Sequence, residues 1–439
     1  MKINSYFFER LKKEHYENVL IDLLPTKYFS NHVLSSNKIK KGNSIYLFII
    51  AILYTHLYSI NQLKRLIREK CFSLKKEYKL LVYLPNNKYQ RFFKSLFKDD
   101  EIKSILIISD ETIELEHITK NSFFESRVKT FFSTIYPSYL MVIKTLYKTY
   151  IIEKHNNFNR TSLLHLNTAI LQTHFINSLS KKTSFKKFFS LHPNGDLHNI
   201  LKELTNLETH SIRPDTTIYT EEHKFIKSDI LYFKSDFEKE VYRHYKIKTE
   251  LVKTGFIYNE LQKKKTKYNE KLNVLFIDTC TNINKESVQI RHRSIIDYYE
   301  IFNSEMNLFH KFHPGLVKEE KDKTIEVFKK KSVEIVEEIN DLSKFDVVIG
   351  FFSTMFHDCL CKGITYIELT GEYSVESGFI TPIDKSPLNK IKNKSDLYET
   401  KIKLENDISL FYNDDIWNWY YQTYNIPDGK INLKTNLLN

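Results

Sequence analysis

A chain of 439 residues exceeds what one hydrophobic core usually organises, so two domains are expected. Hydrophobic residues make up 41% and charged residues 27%, which excludes a disordered chain, while Lys and Arg exceed Asp and Glu by 66 to 54, favouring an anionic partner. The basic residues fall in short groups (Lys38 to Lys41, Lys263 to Lys267, Lys329 to Lys331) rather than one aromatic-interleaved arm, which argues for solvated faces and no nucleic-acid groove.

Cys71, Cys280, Cys359 and Cys361 form no CxxC pair and no even framework, so neither a disulfide scaffold nor a zinc knuckle is indicated. The first twenty residues carry charges throughout and lack the apolar core of a signal peptide, which predicts a cytoplasmic protein. Ile45 to Ile60 has no formal charge but contains Thr55, His56 and Ser59 and falls short of the ~20 residues of a spanning helix, so a buried helix is expected. Its tyrosines and the flanking Lys41 and Lys64 leave peripheral contact with the inner face of the cytoplasmic membrane as a second expectation.

In chain order, helical spacing through residue 70 precedes two apolar runs, Tyr78 to Leu84 and Ser104 to Ser109, that read as buried strands. Tyr139 to Leu179 reads as helix. Phe188 and Phe189 lead into the loop Leu191-His192-Pro193-Asn194-Gly195-Asp196, then a helix to Leu207 and a strand from Thr209 that runs out at Arg213-Pro214-Asp215. Ser228 to Ser235 is expected as a strand ending in a cap, Asp236 to Tyr245 as a helix, and Leu251 to Phe256 as a strand. The polar stretch Gln262 to Lys271 is where the composition breaks, giving domains 1–261 and 262–439. Beyond it, Asn273 to Asp278, Asn307 to Phe312, Val333 to Val336, Asp346 to Gly350 and Thr365 to Leu369 are strands, with helices around Ile295 to Phe302 and over Lys318 to Lys331. Leu397 to Tyr424, with Trp417 and Trp419, reads as an amphipathic helix closing one domain against the other. The fold class is therefore α/β: two doubly wound, Rossmann-like domains with extra N-terminal helices.

Open parallel sheets bind ligands at the C-terminal ends of their strands. One such end carries Lys311-Phe312-His313-Pro314-Gly315, where an imidazole can donate to a phosphate; a turn that merely stops the strand is the competing reading. Further on, Asp346 to Gly350 is followed by Phe351-Phe352-Ser353-Thr354 and a helix start, an order that suits a phosphate and equally suits plain capping.

These residues and their order resemble bacterial GT-B transferases: sialyltransferases and polysialyltransferases, capsule Kdo transferases, and teichoic-acid glycerophosphotransferases, which share an HP motif and a later Ser-Ser or Ser-Thr motif. The resemblance is strongest over Asn307 to Leu369 and looser back to Phe188; residues 1–180 add only compatible topology. It implies two domains facing across a cleft, the N-terminal one binding the acceptor. The C-terminal one would hold a nucleotide donor through His313, Pro314, Gly350, Ser353 and Thr354, with Glu368 either reaching a ribose hydroxyl or capping the next turn. The family uses no divalent metal and no cofactor, and no convincing DxD motif occurs here, since Asp99-Asp100 reads as a helix start or loop pair.

A departure concerns the general base, because the acidic-acidic-Gly motif of sialyltransferase-like members and the Gln-His-Gly motif of glycerophosphotransferases are both missing near Arg213-Pro214-Asp215. Asp215 is the first candidate, Asp196 the second and His192 the third, each weighed against an Asx turn or helix cap. His310 and His313 face opposite sides of a strand, and His357, Asp358 and Cys361 lack a fourth ligand, so neither group predicts a metal site. The function expected is sugar transfer from a CMP donor, such as a sialic or related nonulosonic acid or Kdo, to a bacterial surface glycan or glycolipid. CDP-glycerol or UDP-sugar transfer is one alternative, and a non-catalytic basic binding protein another.

Overall fold

A computed structural model describes residues 77–84, 89–109, 183–191, 193, 207–214, 223, 226–257, 262–279, 285–302, 305–313, 316–328, 332–337, 339, 341–351, 353–374 and 386–439. The expected N-terminal helices, the apolar segment 45–60, the helices over 139–179 and up to 207, Cys71 and Cys280 lie outside these residues. The chain forms two compact units: the described residues of Met1–Pro214, Thr220–Tyr258 and Pro427–Asn439, and those of Asn259–Ile426.

Unit 1 is built on six parallel strands, β1 (Leu80–Leu84), β2 (Ile105–Ser109), β3 (Lys187–Ser190), β4 (Glu208–Ile212), β5 (Ile230–Phe233) and β6 (Glu250–Lys253), in the order β2-β1-β3-β4-β5-β6. Strands with both faces covered need apolar residues at successive positions. Leu80, Leu81, Val82 and Leu84 of β1 and Phe188 and Phe189 of β3 are accordingly fully buried. Two helices, α1 (Gln90–Leu96) and α2 (Asp99–Ile102), lie between β1 and β2. Asp99 and Asp100 form the first turn of α2, so this pair is a helix start, where carboxylates suit the dipole. After β5, α3 (Asp236–His244) is capped by Ser235, whose hydroxyl accepts the Glu238 N–H.

Unit 2 opens on residues 262–271, which form neither helix nor strand yet are pinned along their length. The Gln262 N–H donates to Cys361 O at 2.8 Å and the Lys265 N–H to Gly363 O at 2.8 Å, while Lys265 Nζ pairs with the buried Asp346 at 2.8 Å. One lysine of this stretch is thus held against a buried carboxylate rather than left to solvent.

There follow β7 (Asn273–Ile277), α4 (Lys285–Ile301), β8 (Asn307–Lys311), α5 (Lys318–Phe328), β9 (Val333–Ile335), β10 (Val347–Gly350), α6 (Met355–Cys361), β11 (Thr365–Leu369), β12 (Asn389–Ile391), α7 (Lys394–Asn406) and α8 (Asp414–Tyr424). All six strands are parallel, in the order β12-β11-β10-β7-β8-β9. The chain winds outward from β7 through β8 to β9, then returns to the other side of β7 with β10 and winds the opposite way. The two-sheet, doubly wound α/β architecture expected from the apolar runs is therefore present, with a topological switch point between β7 and β10.

The stretch 397–424 differs from its expectation. It is broken between α7 and α8, because Asp407 and Asn413 turn their side chains onto the N–H groups of Ser409 and Asp415, both at 2.9 Å. The aromatic face of α8 is used inside unit 2: Tyr420 OH lies 3.0 Å from His357 Nδ1 and 3.4 Å from Cys361 Sγ, which gives those two residues a packing role.

The last helix, α9 (Gly429–Leu438), belongs to unit 1. Leu433 and Leu437 are fully buried in one core with Leu80, Phe93 and Phe189, and Lys434 pairs with Glu101 at 2.9 Å. Gly429 starts it against β6, where a Cβ would meet Thr254 O at 2.1 Å. Truncating Leu433 to Ala removes contacts that no neighbour can replace without collapse, and should cost about 2–5 kcal/mol. Urea unfolding followed by the fluorescence of unit 1 tyrosines checks this, and an unchanged midpoint would show that α9 adds nothing to that core.

Candidate functional site

The switch-point edge of the second sheet is set by register. Ile277 of β7 pairs with Lys311 of β8 on one side and with Gly350 of β10 on the other, and Gly350 pairs in turn with Glu368 of β11. The ends of β8 and β10 thus flank β7. Gly350 has a steric role in this row: a Cβ there would lie 2.7 Å from Ile277 O and 2.9 Å from Ile277 Cβ.

His313 follows β8 by two residues and is exposed, whereas His310, inside β8, is fully buried. The Leu316 N–H donates to His313 O at 3.0 Å, and the imidazole lies at the surface. Ser353 follows β10, and its hydroxyl accepts the Met355 N–H at 3.2 Å. A hydroxyl that accepts in this way still has its own proton to donate. Thr354, the N-cap residue of α6, is exposed and its side chain makes no cap bond. Capping therefore falls to Ser353. Glu368 is buried within β11, and the cap position of the turn after it is held by Thr370. Pro314, Asp215, Asp196 and His192 lie outside the described residues.

The sequence reading missed the group beneath this edge. Asp278, one residue past β7, is buried and receives both Nε (2.7 Å) and Nη2 of Arg291, a fully buried guanidinium on α4. Its Oδ1 also accepts the Thr279 N–H at 2.7 Å, and its own N–H donates to Lys311 O at 3.0 Å, tying the ends of β7 and β8 together. Arg291 Nη2 reaches Thr324 Oγ1 at 3.1 Å, and Nη1 lies 3.6 Å from Glu320, both on α5. His310 completes the group, with Nε2 3.4 Å from Asp278, Nδ1 2.9 Å from Tyr299 OH, and its ring stacked on Phe276. The available signal was an Asp closing an otherwise apolar strand run, too common a pattern to name a partner thirteen positions on.

Electrostatics follow from this packing. Burial opposes ionisation of Asp278, but the hydrogen bonds and charges of His310 and Arg291 outweigh it and hold the carboxyl below its ordinary range. Burial likewise pushes the His310 imidazole down, against the pull of Asp278, so His310 is neutral at physiological pH. The pair thus gives the strand ends a fixed charge pattern and a rigid floor. A groove of about 350 Å³ on α4 and α5, with His292, Arg293, Glu320 and Lys323 among its walls, includes none of the candidate donor residues. Among the described residues no group of three His, Cys, Asp or Glu side chains gathers as a metal site.

No protein-family model matches the chain, and no curated protein matches it. Solved structures do. A UDP co-structure of S. aureus MnaA is 13% identical, covering 82% of this chain and 97% of its own, with a TM-score of 0.49. Anabaena HepE with UDP and glucose is 9% identical over 82% and 99%, TM-score 0.47. An E. coli structure described as trehalose-6-phosphate bound with UDP-2-fluoro glucose is 8% identical over 82% and 99%, TM-score 0.46. At these identities and TM-scores the similarity carries no argument about activity.

Two outcomes follow from the buried group. Replacing Arg291 by Met leaves Asp278 without its main partner and should cost about 3–5 kcal/mol in urea unfolding; a loss near zero would mean that the pair is dispensable. His310 has a folded pKa below its unfolded value, so the native state takes up fewer protons than the unfolded chain. Its contribution to stability is complete above about pH 6.5 and is lost as pH falls from there towards the folded pKa. Thermal unfolding between pH 7.5 and pH 5 should decline less steeply in His310→Gln than in wild type, and identical slopes would remove His310 from the account.

Proposed function

We propose that the chain transfers a sugar from a nucleotide donor to a glycan or glycolipid acceptor as a GT-B type, metal-independent, inverting glycosyltransferase. The observation that supports this most is topological. The HP motif follows β8 and the Ser-Thr motif follows β10, the two strands that flank β7, at the edge where doubly wound sheets take their ligands.

In this reading the C-terminal domain holds the donor phosphate. His313 donates to it, the Ser353 and Thr354 hydroxyls and the backbone at the start of α6 add hydrogen bonds, Pro314 and Gly350 shape the two strand exits, and Glu368 stands near the ribose side. A base on the N-terminal domain, Asp215 first and Asp196 second, removes the acceptor hydroxyl proton. The hydroxyl oxygen attacks the anomeric carbon, the bond from that carbon to the phosphate oxygen breaks, and its electron pair leaves with the nucleotide. A CMP-activated acidic sugar is the donor proposed, with CDP-glycerol and UDP-sugars as competitors. The excess of Lys and Arg suits such anionic substrates. Work at the inner face of the cytoplasmic membrane, where lipid-linked glycans are assembled, is the location proposed; among the described residues no helix is long and apolar enough to cross a membrane.

Purified full-length protein should release nucleotide from CMP-N-acetylneuraminate or CMP-Kdo faster than from CDP-glycerol or UDP-N-acetylglucosamine. The matching nucleotide should stabilise it by about 2.7 kcal/mol at a hundredfold excess over Kd. His313→Ala should lower turnover by roughly 10²-fold or more with an unchanged melting temperature. Full activity in that variant would sink the role of His313. Binding to nucleic acid that falls steeply with salt, with no nucleotide bound, would replace the enzyme reading altogether.

A further inference from the structure

Three residues before His313, β8 carries a second histidine that the proposed chemistry leaves unused. His310 is fully buried, and its ring meets four other elements or segments. It stacks on Phe276 of β7 at 5.4 Å between centroids, and its Nδ1 lies 2.9 Å from Tyr299 OH of α4. Its Nε2 lies 3.4 Å from Asp278, just past β7, and Phe328 of α5 packs at 4.9 Å. Phe312, two residues on in the same chain, meets the ring edge to face at 4.5 Å and 65°.

Side chains alternate across a strand, so residues 310 and 312 share one face at the end of β8 while 311 and 313 take the other. The contacts agree: Phe312 also stacks on Phe328 at 6.2 Å, whereas Lys311 Nζ donates to Glu337 O at 2.7 Å and His313 is exposed. A slip of one residue would exchange these faces. A leucine or phenylalanine at position 310 would fill the space without polar atoms to satisfy, so packing alone is a weak reason for an imidazole there. What an imidazole adds is direction. Tyr299 OH at one nitrogen and the Asp278 carboxylate beside the other fix the plane of the ring, and Phe312 packs against that plane in a geometry that aromatic pairs prefer.

We propose that His310 is a positioning residue of the transfer reaction: its ring, oriented by Tyr299 and Asp278, seats Phe312 on the buried side of the β8 exit and so sets the side on which the next residue, His313, presents its imidazole. The inference rests on the reading of His313 as a donor-phosphate ligand, but the seat itself is measurable without it.

The test compares full-length wild type with His310→Gln, which keeps a polar side chain and loses the ring, with His313→Ala, and with both together. Amide hydrogen exchange at Leu316, whose N–H bonds to His313 O, should accelerate in His310→Gln relative to exchange at Leu308 within β8. An unchanged ratio between the two amides overturns the seat, whatever the activity. With the donor accepted in the nucleotide-release screen, kcat should fall roughly tenfold or more at unchanged donor KM, since misplacing a reacting group by about 1 Å costs up to ~10²-fold. A residue that only stabilised the fold would lower the melting temperature and leave the kcat of the folded enzyme as it was. Adding His310→Gln to His313→Ala should lower kcat by no more than about twofold further, because groups acting through one another are not additive. Retained kcat in His310→Gln, or losses that multiply, would overturn the positioning role. A screen in which no donor is accepted, or full activity in His313→Ala, ends the donor reading and the positioning role with it, while exchange at Leu316 decides the seat separately. Should His310→Gln not fold, Tyr299→Phe, which keeps the imidazole and removes only the partner of its Nδ1, takes the same readouts with the same outcomes.

Discussion

The bidentate pair between Asp278 and Arg291 is the contact on which the switch-point edge of the second unit's sheet depends. A fully buried guanidinium must be neutralised, and Asp278 does so from the end of β7, the strand at the switch point. Because Arg291 also reaches Thr324 and Glu320, one side chain fixes α4 and α5 against the ends of β7 and β8. The His313 turn and the Ser353 helix start rise on either side of this anchored strand.

Much of the fold was legible because its strands are covered on both faces. Runs such as Asn273 to Ile277 and Val347 to Gly350 are apolar at successive positions, which a parallel sheet demands and a half-exposed one does not. β12 was not legible: three residues, Asn389 to Ile391, carry no period. The break between α7 and α8 was written in Asp407 and Asn413, but the aromatic run after them hid it. Composition also does not show that Lys265 will find the buried Asp346.

The candidate site divides along the same line. His313 and Ser353 could be found because a motif after a strand is local information. Asp278 with Arg291, and His310 with Tyr299, were invisible because each joins elements that only the folded sheet brings together. Gly350 shows a further ambiguity: a glycine beside a phosphate-binding loop and a glycine squeezed against Ile277 look the same in sequence.

The route of the chain has a consequence for biosynthesis. Residues that complete the first unit's core, Leu433 and Leu437, are translated after the whole of 259–426. The core of the first unit is therefore completed by residues made after every strand of both sheets. Order of synthesis and order of completion are reversed for this core.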